Sequence, residues 1–145
     1  RSYSVTGVQT CALPIYDDLV DLEHWISKLI EKEGEDATPR IWQLINDNYH
    51  NEEIYVFSEG EQYRLPKRAT ILDFAFHKDI SKAIYFDYAK VNGVQTDYFY
   101  NLQNKDEIEL FYSDVPQIAN NWENNVVLFK AIIEIDKFLE EQKNN

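Results

Sequence analysis

The apolar pattern between residues 53 and 113 changes its period twice, and this change limits the fold more than any other feature of the chain. Two runs rich in β-formers, 54–57 and 62–65, flank a turn at 58–61. Pro66 ends the second run, because proline cannot donate a hydrogen bond to a β-ladder. The pattern predicts two paired strands. We expect the first to be covered on both faces, because apolar and aromatic residues fill it without a break.

A short helix is predicted next, beginning at Thr70. Thr70 and Asp73 have the spacing of a capping box, in which each side chain accepts the backbone N–H of the other residue. Leu72, Ala75 and Phe76 follow at helical spacing and are expected to face the sheet.

The β-period then returns. Residues 85–91 are rich in β-formers, and Asn92-Gly93 is a strong signal for a tight turn, because both turn residues need positive φ. Residues 94–96 can pair back across this turn, and 107–112 alternate as a half-buried strand. One helix among several strands predicts an α+β fold, for which the β-grasp is the compact solution. The expected core comprises Ile54, Val56, Leu65, Leu72, Ala75, Phe76, Val91, Leu102, Ile108 and Leu110.

Helical spacing recurs on both sides of this segment. A first helix is expected to end at Gly34, and a second to begin with Thr38 as N-cap and Pro39 at the first helical position. A last helix is expected from Asn121, with an apolar face that would stay exposed in this chain. We therefore expect that face to pack on another part of a longer protein.

Residues 1–15 look like the frame translation of a sequencing-library adapter and are excluded from fold reasoning. A secretory signal is the rival interpretation, but the segment lacks a long apolar stretch. We expect the natural protein to begin further upstream. Cys11 is the only cysteine, so the remaining chain has neither disulfides nor thiolate metal sites, which fits a cytoplasmic location. No run approaches the roughly 18 apolar residues of a membrane span.

The charge is strongly acidic but segregated. Without Arg1, 13 basic residues face 26 acidic ones, a net charge of −13. An acidic chain repels phosphate backbones. Residues 64–90, however, hold six basic and three acidic residues, which is locally +3. This segment is expected to form either an ordinary mixed surface or one basic face on an acidic module.

Four segments together carry a family resemblance. In order and spacing, residues 53–57, 65–77, 89–93 and 102–109 resemble a TGS domain, the β-grasp module of threonyl-tRNA synthetases, some GTPases and RelA/SpoT-type alarmone enzymes. The flanks are most similar to the RelA/SpoT type, through Trp122, Val126-Val127 and Lys130-Ala131. The resemblance implies a helical linker at 16–51, a TGS domain at 52–113 and the start of a following helical domain at 114–145.

The same resemblance implies a docking and regulatory role in a (p)ppGpp synthetase/hydrolase. In that family a histidine after the central helix stacks on the free 3′ end of uncharged tRNA on the ribosome. Here this role would fall to His77, with Lys78, Lys82, Arg68 and Arg64 as neighbouring cations. The alternative is that His77 only marks a helix end, where a cation suits the dipole. The chain departs from the family in a shorter first hairpin and in a missing glycine after the histidine.

Other partners remain open. Some family members bind acyl carrier protein, and the acidic flanks could instead dock on catalytic domains of the same polypeptide. No catalytic residue, metal or cofactor is expected in this segment. Asp106, Glu107 and Glu109 are expected to be solvated, and His24 and His50 are expected at the surface.

Overall fold

The computed structural model describes residues 16–49 and 52–143. Two helices lead into five strands around a central helix, and a last helix follows. The elements are α1 (Tyr16–Glu33), α2 (Ala37–Tyr49), β1 (Glu53–Ser58), β2 (Glu61–Pro66), α3 (Ile71–Lys78), β3 (Phe86–Val91), β4 (Val94–Thr96), β5 (Ile108–Tyr112) and α4 (Phe129–Lys143), with 3-10 turns at Gly34–Asp36, Ala83–Tyr85 and Asn120–Asn125. The expectations for residues 1–15, for Cys11 among them and for His50 lie outside the described residues.

The strands lie in the order β2-β1-β5-β3-β4. β1 pairs with β2, and β3 pairs with both β4 and β5, all antiparallel. β1 and β5 are parallel and meet at a single bridge between Phe57 and Glu107. The N–H of Phe57 donates to the carbonyl of Asp106 at 2.8 Å, and the N–H of Lys105 donates to the carbonyl of Tyr55 at 2.6 Å. The predicted α+β β-grasp is confirmed, as two ladders joined at one point.

Two tight turns set the register of the ladders. Asn92 and Gly93 have φ of 54° and 85°, and Glu59 and Gly60 have φ of 51° and 81°. Such a pair of positive φ values matches the right-handed twist of the strands on either side. The predicted Asn-Gly turn is therefore confirmed.

The central helix α3 is buried on every side. Its N-terminus has the predicted capping box between Thr70 and Asp73. All six residues from Ile71 to Phe76 are buried. Phe74 meets Tyr63 of β2 edge-on at 5.2 Å, and Phe76 meets Trp122 at 6.4 Å. Because the sheet and the segment after it cover α3 from two sides, residues 71–76 are apolar except for Asp73 and show no polar face.

The core is continuous from the β-grasp to the flanking helices. Nine of the ten predicted core residues are buried, and Leu110 is half-buried against them. Trp25 and Leu29 of α1 and Ile132 and Ile135 of α4 join the same cluster.

Two helix starts differ from the prediction. The 3-10 turn at Gly34–Asp36 runs directly into α2, so α2 begins at Ala37 and Thr38 is not its cap. The segment after Asn120 is a 3-10 turn, and α4 begins only at Phe129.

Two expectations about exposure are also wrong. The apolar face of α4 is buried within this chain, because α4 packs on α1 and α3. β1 is not covered on both faces: Tyr55 is 42% exposed, because the sheet face opposite α3 is open.

Candidate functional site

His77 lies on the last turn of α3 and is half-buried. Its ring meets Tyr63 edge-on at 6.1 Å. Burial, with the positive charge of Lys130 nearby, lowers the pKa of His77 to about 4. The ring is therefore neutral at neutral pH, and the charged residue in this last turn is Lys78.

Two lysines and two hydrophobic side chains lie near the same end of α3. The Nζ of Lys78 is 3.0 Å from a carboxylate oxygen of Glu59. The Nζ of Lys82 lies 5.8 Å from the ring centre of Tyr112. Lys78 is also near this side chain, because its charge opposes the rise that burial causes in the pKa of Tyr112. Ile80, between the two lysines, is 41% exposed. We call this group the α3-end surface: His77, Lys78, Ile80, Lys82 and Tyr112.

The two predicted arginines lie elsewhere. Tyr63 points toward α3, so its neighbour Arg64 points to the opposite sheet face, because successive strand residues alternate. There Arg64 lies 3.4 Å from Glu53. Arg68 precedes the other end of α3 and lies 2.6 Å from the buried carboxylate of Asp47 in α2. The four predicted cations and His77 therefore occupy three places and do not form one basic face.

The sequence interpretation limited Asp73 to helix capping, but the structure gives it a second set of partners. The carboxylate is fully buried and accepts the N–H of Thr70 at 2.9 Å. It also accepts the N–H groups of Val127 and Leu128, each at 2.9 Å. Burial raises the pKa of Asp73 to about 6, and these donors oppose the rise. One carboxylate thus connects the start of α3 to the approach to α4.

Further side chains hold the same approach in place. Asn48 of α2 accepts the N–H of Phe129 at 3.1 Å and donates to the carbonyl of Val127 at 2.7 Å. The hydroxyl of Thr70 donates to the carbonyl of Asn125 at 2.9 Å. We call residues 120–129 the strap. Because the strap bonds to both α2 and α3, it fixes where α4 begins.

The prediction for the carboxylates near β5 is only partly right. Glu107 and Glu109 are exposed, as is His24. Asp106, however, is 5% exposed and accepts from the amide of Asn92 and the hydroxyl of Tyr100, at 3.0 and 3.2 Å. It stabilises the turn that precedes β5.

A polar cleft of about 480 Å³ lies where α1 meets α4 and the strap. On its wall Lys28 lies 2.6 Å from Asp136 and also contacts Glu140. Within residues 16–49 and 52–143, no His, Cys, Asp and Glu side chains group as metal ligands would. No helix in that same part of the chain is long and apolar enough to cross a bilayer.

The fold and the comparison with protein families agree on the class of domain. Residues 53–112 match the TGS domain family. Together with the β-grasp topology, this makes the segment a TGS domain.

The wider chain is similar to proteins named GTP pyrophosphokinase. It is 29% identical over 112 residues to the one from Photobacterium angustum, covering 75% of this chain and 14% of that protein. It is 27% identical over 123 residues to the one from Myxococcus xanthus, covering 82% of this chain and 16% of that protein. The Escherichia coli K12 protein is 29% identical over 102 residues, which is 69% of this chain and 14% of that protein. The similarity to these proteins thus extends beyond the TGS segment, and the chain spans about one seventh of their length.

Proposed function

We propose that this chain is the regulatory docking segment of a RelA/SpoT-like (p)ppGpp synthetase/hydrolase acting in the cytoplasmic stringent response. The observation that carries this proposal is the extent of the similarity. The matches to GTP pyrophosphokinases cover 102 to 123 residues, whereas the TGS match covers residues 53–112. The similarity therefore includes flanking residues, and helices on both sides of the domain share its core.

The parent enzyme would transfer pyrophosphate from ATP to GDP or GTP, or remove it from the product. This segment would take no part in that chemistry. Its role would be to bind a signal and to pass the bound state to catalytic domains of the same polypeptide. The continuous core supports such a role, because a rigid body transmits a change of position better than a flexible tether does.

The signal that we propose is the 3′ end of uncharged tRNA, bound at the α3-end surface. A neutral, partly exposed imidazole can stack on an unpaired base, and each base–aromatic stack is worth about 1–3 kcal/mol. Lys82 can approach a phosphate from the side of the Tyr112 ring, although its charge also acts on the nearby carboxylate of Asp79. Lys78 would contribute less, since Glu59 already lies 3.0 Å away.

The experiment compares binding of this chain to uncharged tRNA, aminoacylated tRNA and tRNA trimmed of its 3′ terminus. We expect binding only to the first, and at least a fivefold loss with His77→Ala or Lys82→Ala. Arg64→Ala is the matched control, because Arg64 lies on the opposite sheet face. Equal binding of all three tRNAs, or unchanged affinity after both substitutions, would refute tRNA sensing at this surface.

A second candidate ligand is acyl carrier protein, and one observation favours it. Ile80 is exposed between Lys78 and Lys82, and an apolar side chain between cations suits an acidic protein helix better than a sugar–phosphate chain. In the same assay, a carrier-protein binder would ignore the tRNA terminus and would lose affinity with Ile80→Ser. Failure of both ligands would leave docking on domains of the same polypeptide as the role of the segment.

A further inference from the structure

The strand β5 extends beyond the strand that lies beside it. The parallel bridge between Phe57 and Glu107 joins the end of β1 to the start of β5. β1 then turns back into β2, whereas β5 continues to Tyr112. From Ile108, which is level with the last residue of β1, to Tyr112 the strand spans about 13 Å.

The backbone of this part of β5 has one unpaired edge. The N–H of Asn92 donates to the carbonyl of Glu107 at 2.8 Å, so the backbone groups of Glu107 face β3. Because successive residues of a paired strand turn these groups to opposite sides, those of Leu110 and Tyr112 point away from β3. In the part of the chain that the structure describes, no group on that side bonds to the N–H or C=O of either residue. An unpaired edge of this kind is a template for another strand.

The space beside this edge is open. A cavity of about 320 Å³ separates the tip of the first hairpin from the start of β5, and it is lined by Glu59, Lys90, Gly93, Glu107, Ile108 and Glu109. The tip of the hairpin therefore does not take the place of the missing strand.

The two faces of β5 differ, and this difference selects the side chains of an added strand. Leu110 and Tyr112 lie on the face toward α3 and are apolar or aromatic. Glu107 and Glu109 lie on the open face, where both are exposed and neither forms an ion pair with a described residue. Lys90 is opposite Glu109 in the pairing of β3 with β5, but its Nζ lies 5.7 Å over an aromatic ring. Because side chains alternate along a strand, apolar residues suit one face of the added strand and basic residues the other.

We propose that the β5 edge from Ile108 to Tyr112 binds an extended peptide of a partner protein in which lysine or arginine alternates with apolar residues. The backbone of the peptide would pair with Leu110 and Tyr112, as in other cases of strand addition. Its basic side chains would face Glu107 and Glu109. The charge of this ligand is opposite to that of tRNA and of acyl carrier protein, so the site is distinct from the α3-end surface in what it selects.

The first test is amide hydrogen exchange of the whole chain without ligand, measured by NMR. The N–H groups of Leu110 and Tyr112 should exchange about tenfold faster than those of Glu109 and Phe111, which face β3. Equal protection of the four amides would show that the edge is already paired and would overturn the proposal.

The second test adds a capped peptide of about six residues that alternates lysine with valine. Binding should slow exchange at Leu110 and Tyr112 and leave Glu109 and Phe111 unchanged. An acidic chain attracts any cationic peptide, so two further peptides are N-methylated, one on the lysine nitrogens and one on the valine nitrogens. Only one of these two sets of amides can face β5, so only one methylated peptide should lose affinity, by about tenfold. Equal affinities of the two would show attraction by charge alone and would overturn the proposal.

The third test reverses the charge of the open face. Glu107→Lys with Glu109→Lys should weaken binding of the unmethylated peptide about tenfold. Glu23→Lys with Glu31→Lys is the matched control, because it changes the net charge equally at exposed sites of α1, and it should bind like the wild type. Equal weakening by the two double variants would overturn the proposal. His77→Ala should leave peptide binding unchanged, so this result is independent of whether tRNA binds at the α3-end surface.

Discussion

His77 combines a position at the end of a helix with a ring that carries no charge. Burial and Lys130 both disfavour its protonated form. We predict that the imidazole titrates near pH 4 in the folded chain, measured by NMR of its ring carbons and nitrogens. The unfolded chain in urea is the control, where histidine titrates near 6.5. A folded-state pKa at or above 6.5 would show that the ring becomes charged in mildly acidic solution and would count against the proposed stacking role.

Two residues of α3 should make opposite contributions to stability in the same pH range. The pKa of His77 is lowered from 6.5 to about 4, so the folded state binds fewer protons and loses stability as pH falls through that range. The pKa of Asp73 is raised from 3.8 to about 6, so the folded state binds more protons and gains stability as pH falls. In the wild type the two effects should nearly cancel.

Single substitutions should separate the two effects. Between pH 7 and pH 5, we expect Asp73→Asn to lose about 2 kcal/mol of unfolding free energy, because only the histidine effect remains. We expect His77→Gln to gain about 1 kcal/mol over the same range. Urea denaturation at the two pH values measures both. Parallel pH curves for all three proteins would contradict the assignment.

At the scale of single residues, the sequence predicted which side chains cap α3 but not which distant residues those side chains contact. The Thr-x-x-Asp spacing gave the capping box correctly, because capping depends on four consecutive residues. It could not place Val127 and Leu128 beside Asp73, because that contact joins residues more than fifty positions apart. One signal was available: a lone carboxylate within an otherwise apolar helix, at 71–76, needs buried donors from another element.

Among the elements, α2 holds the strap through Asn48. We predict that Asn48→Ala costs about 1–3 kcal/mol, because it leaves buried backbone groups of the strap without partners. Amide hydrogen exchange at Val127 to Phe129 should quicken selectively. Asn46→Ala is the matched control, the same substitution at an exposed site of the same helix, and should change neither quantity. Equal effects of the two variants would show that the strap does not need this amide.

The turns and strands were predictable for a physical reason. Asn92-Gly93 and Glu59-Gly60 encode their own positive φ values, so the two hairpins are local. The helix starts were less predictable. The 3-10 turn at Gly34–Asp36 continues directly into α2. The helix therefore begins before Thr38, and Thr38 does not cap it. In the strap, contacts with α2 and α3 keep residues 126–128 out of the helix.

For the whole molecule, the shared core predicts that residues 52–113 alone are severely destabilised. That truncation removes Trp122, whose ring packs on Phe76 and Phe86 at 6.4 Å, together with the buried face of α4. Removing large buried side chains costs about 3–5 kcal/mol each. We expect no cooperative urea transition by circular dichroism for residues 52–113, and one transition for the full chain. A stable, cooperative 52–113 fragment would show that the strap and α4 are dispensable.

The overall architecture followed from order and period, whereas the packing of α4 within the chain did not. One helix among five strands left few compact arrangements. The apolar face of α4 was expected to need a partner outside the chain. The spacing of its residues shows that one face is apolar, but it does not show that this face packs on α3. The same limit applies to the basic segment at 64–90. Arg64 points to the sheet face opposite α3, whereas His77 lies on α3 itself.

The carboxylate of Asp73 also affects where this domain can be cut in protein engineering. A β-grasp module excised at its sequence boundary would keep that acid but leave the donors of Val127 and Leu128 behind. The carboxylate would then lose two of its backbone donors together with the residues that cover it. A version of this domain moved into another protein, such as a biosensor, should therefore either replace Asp73 or include the strap.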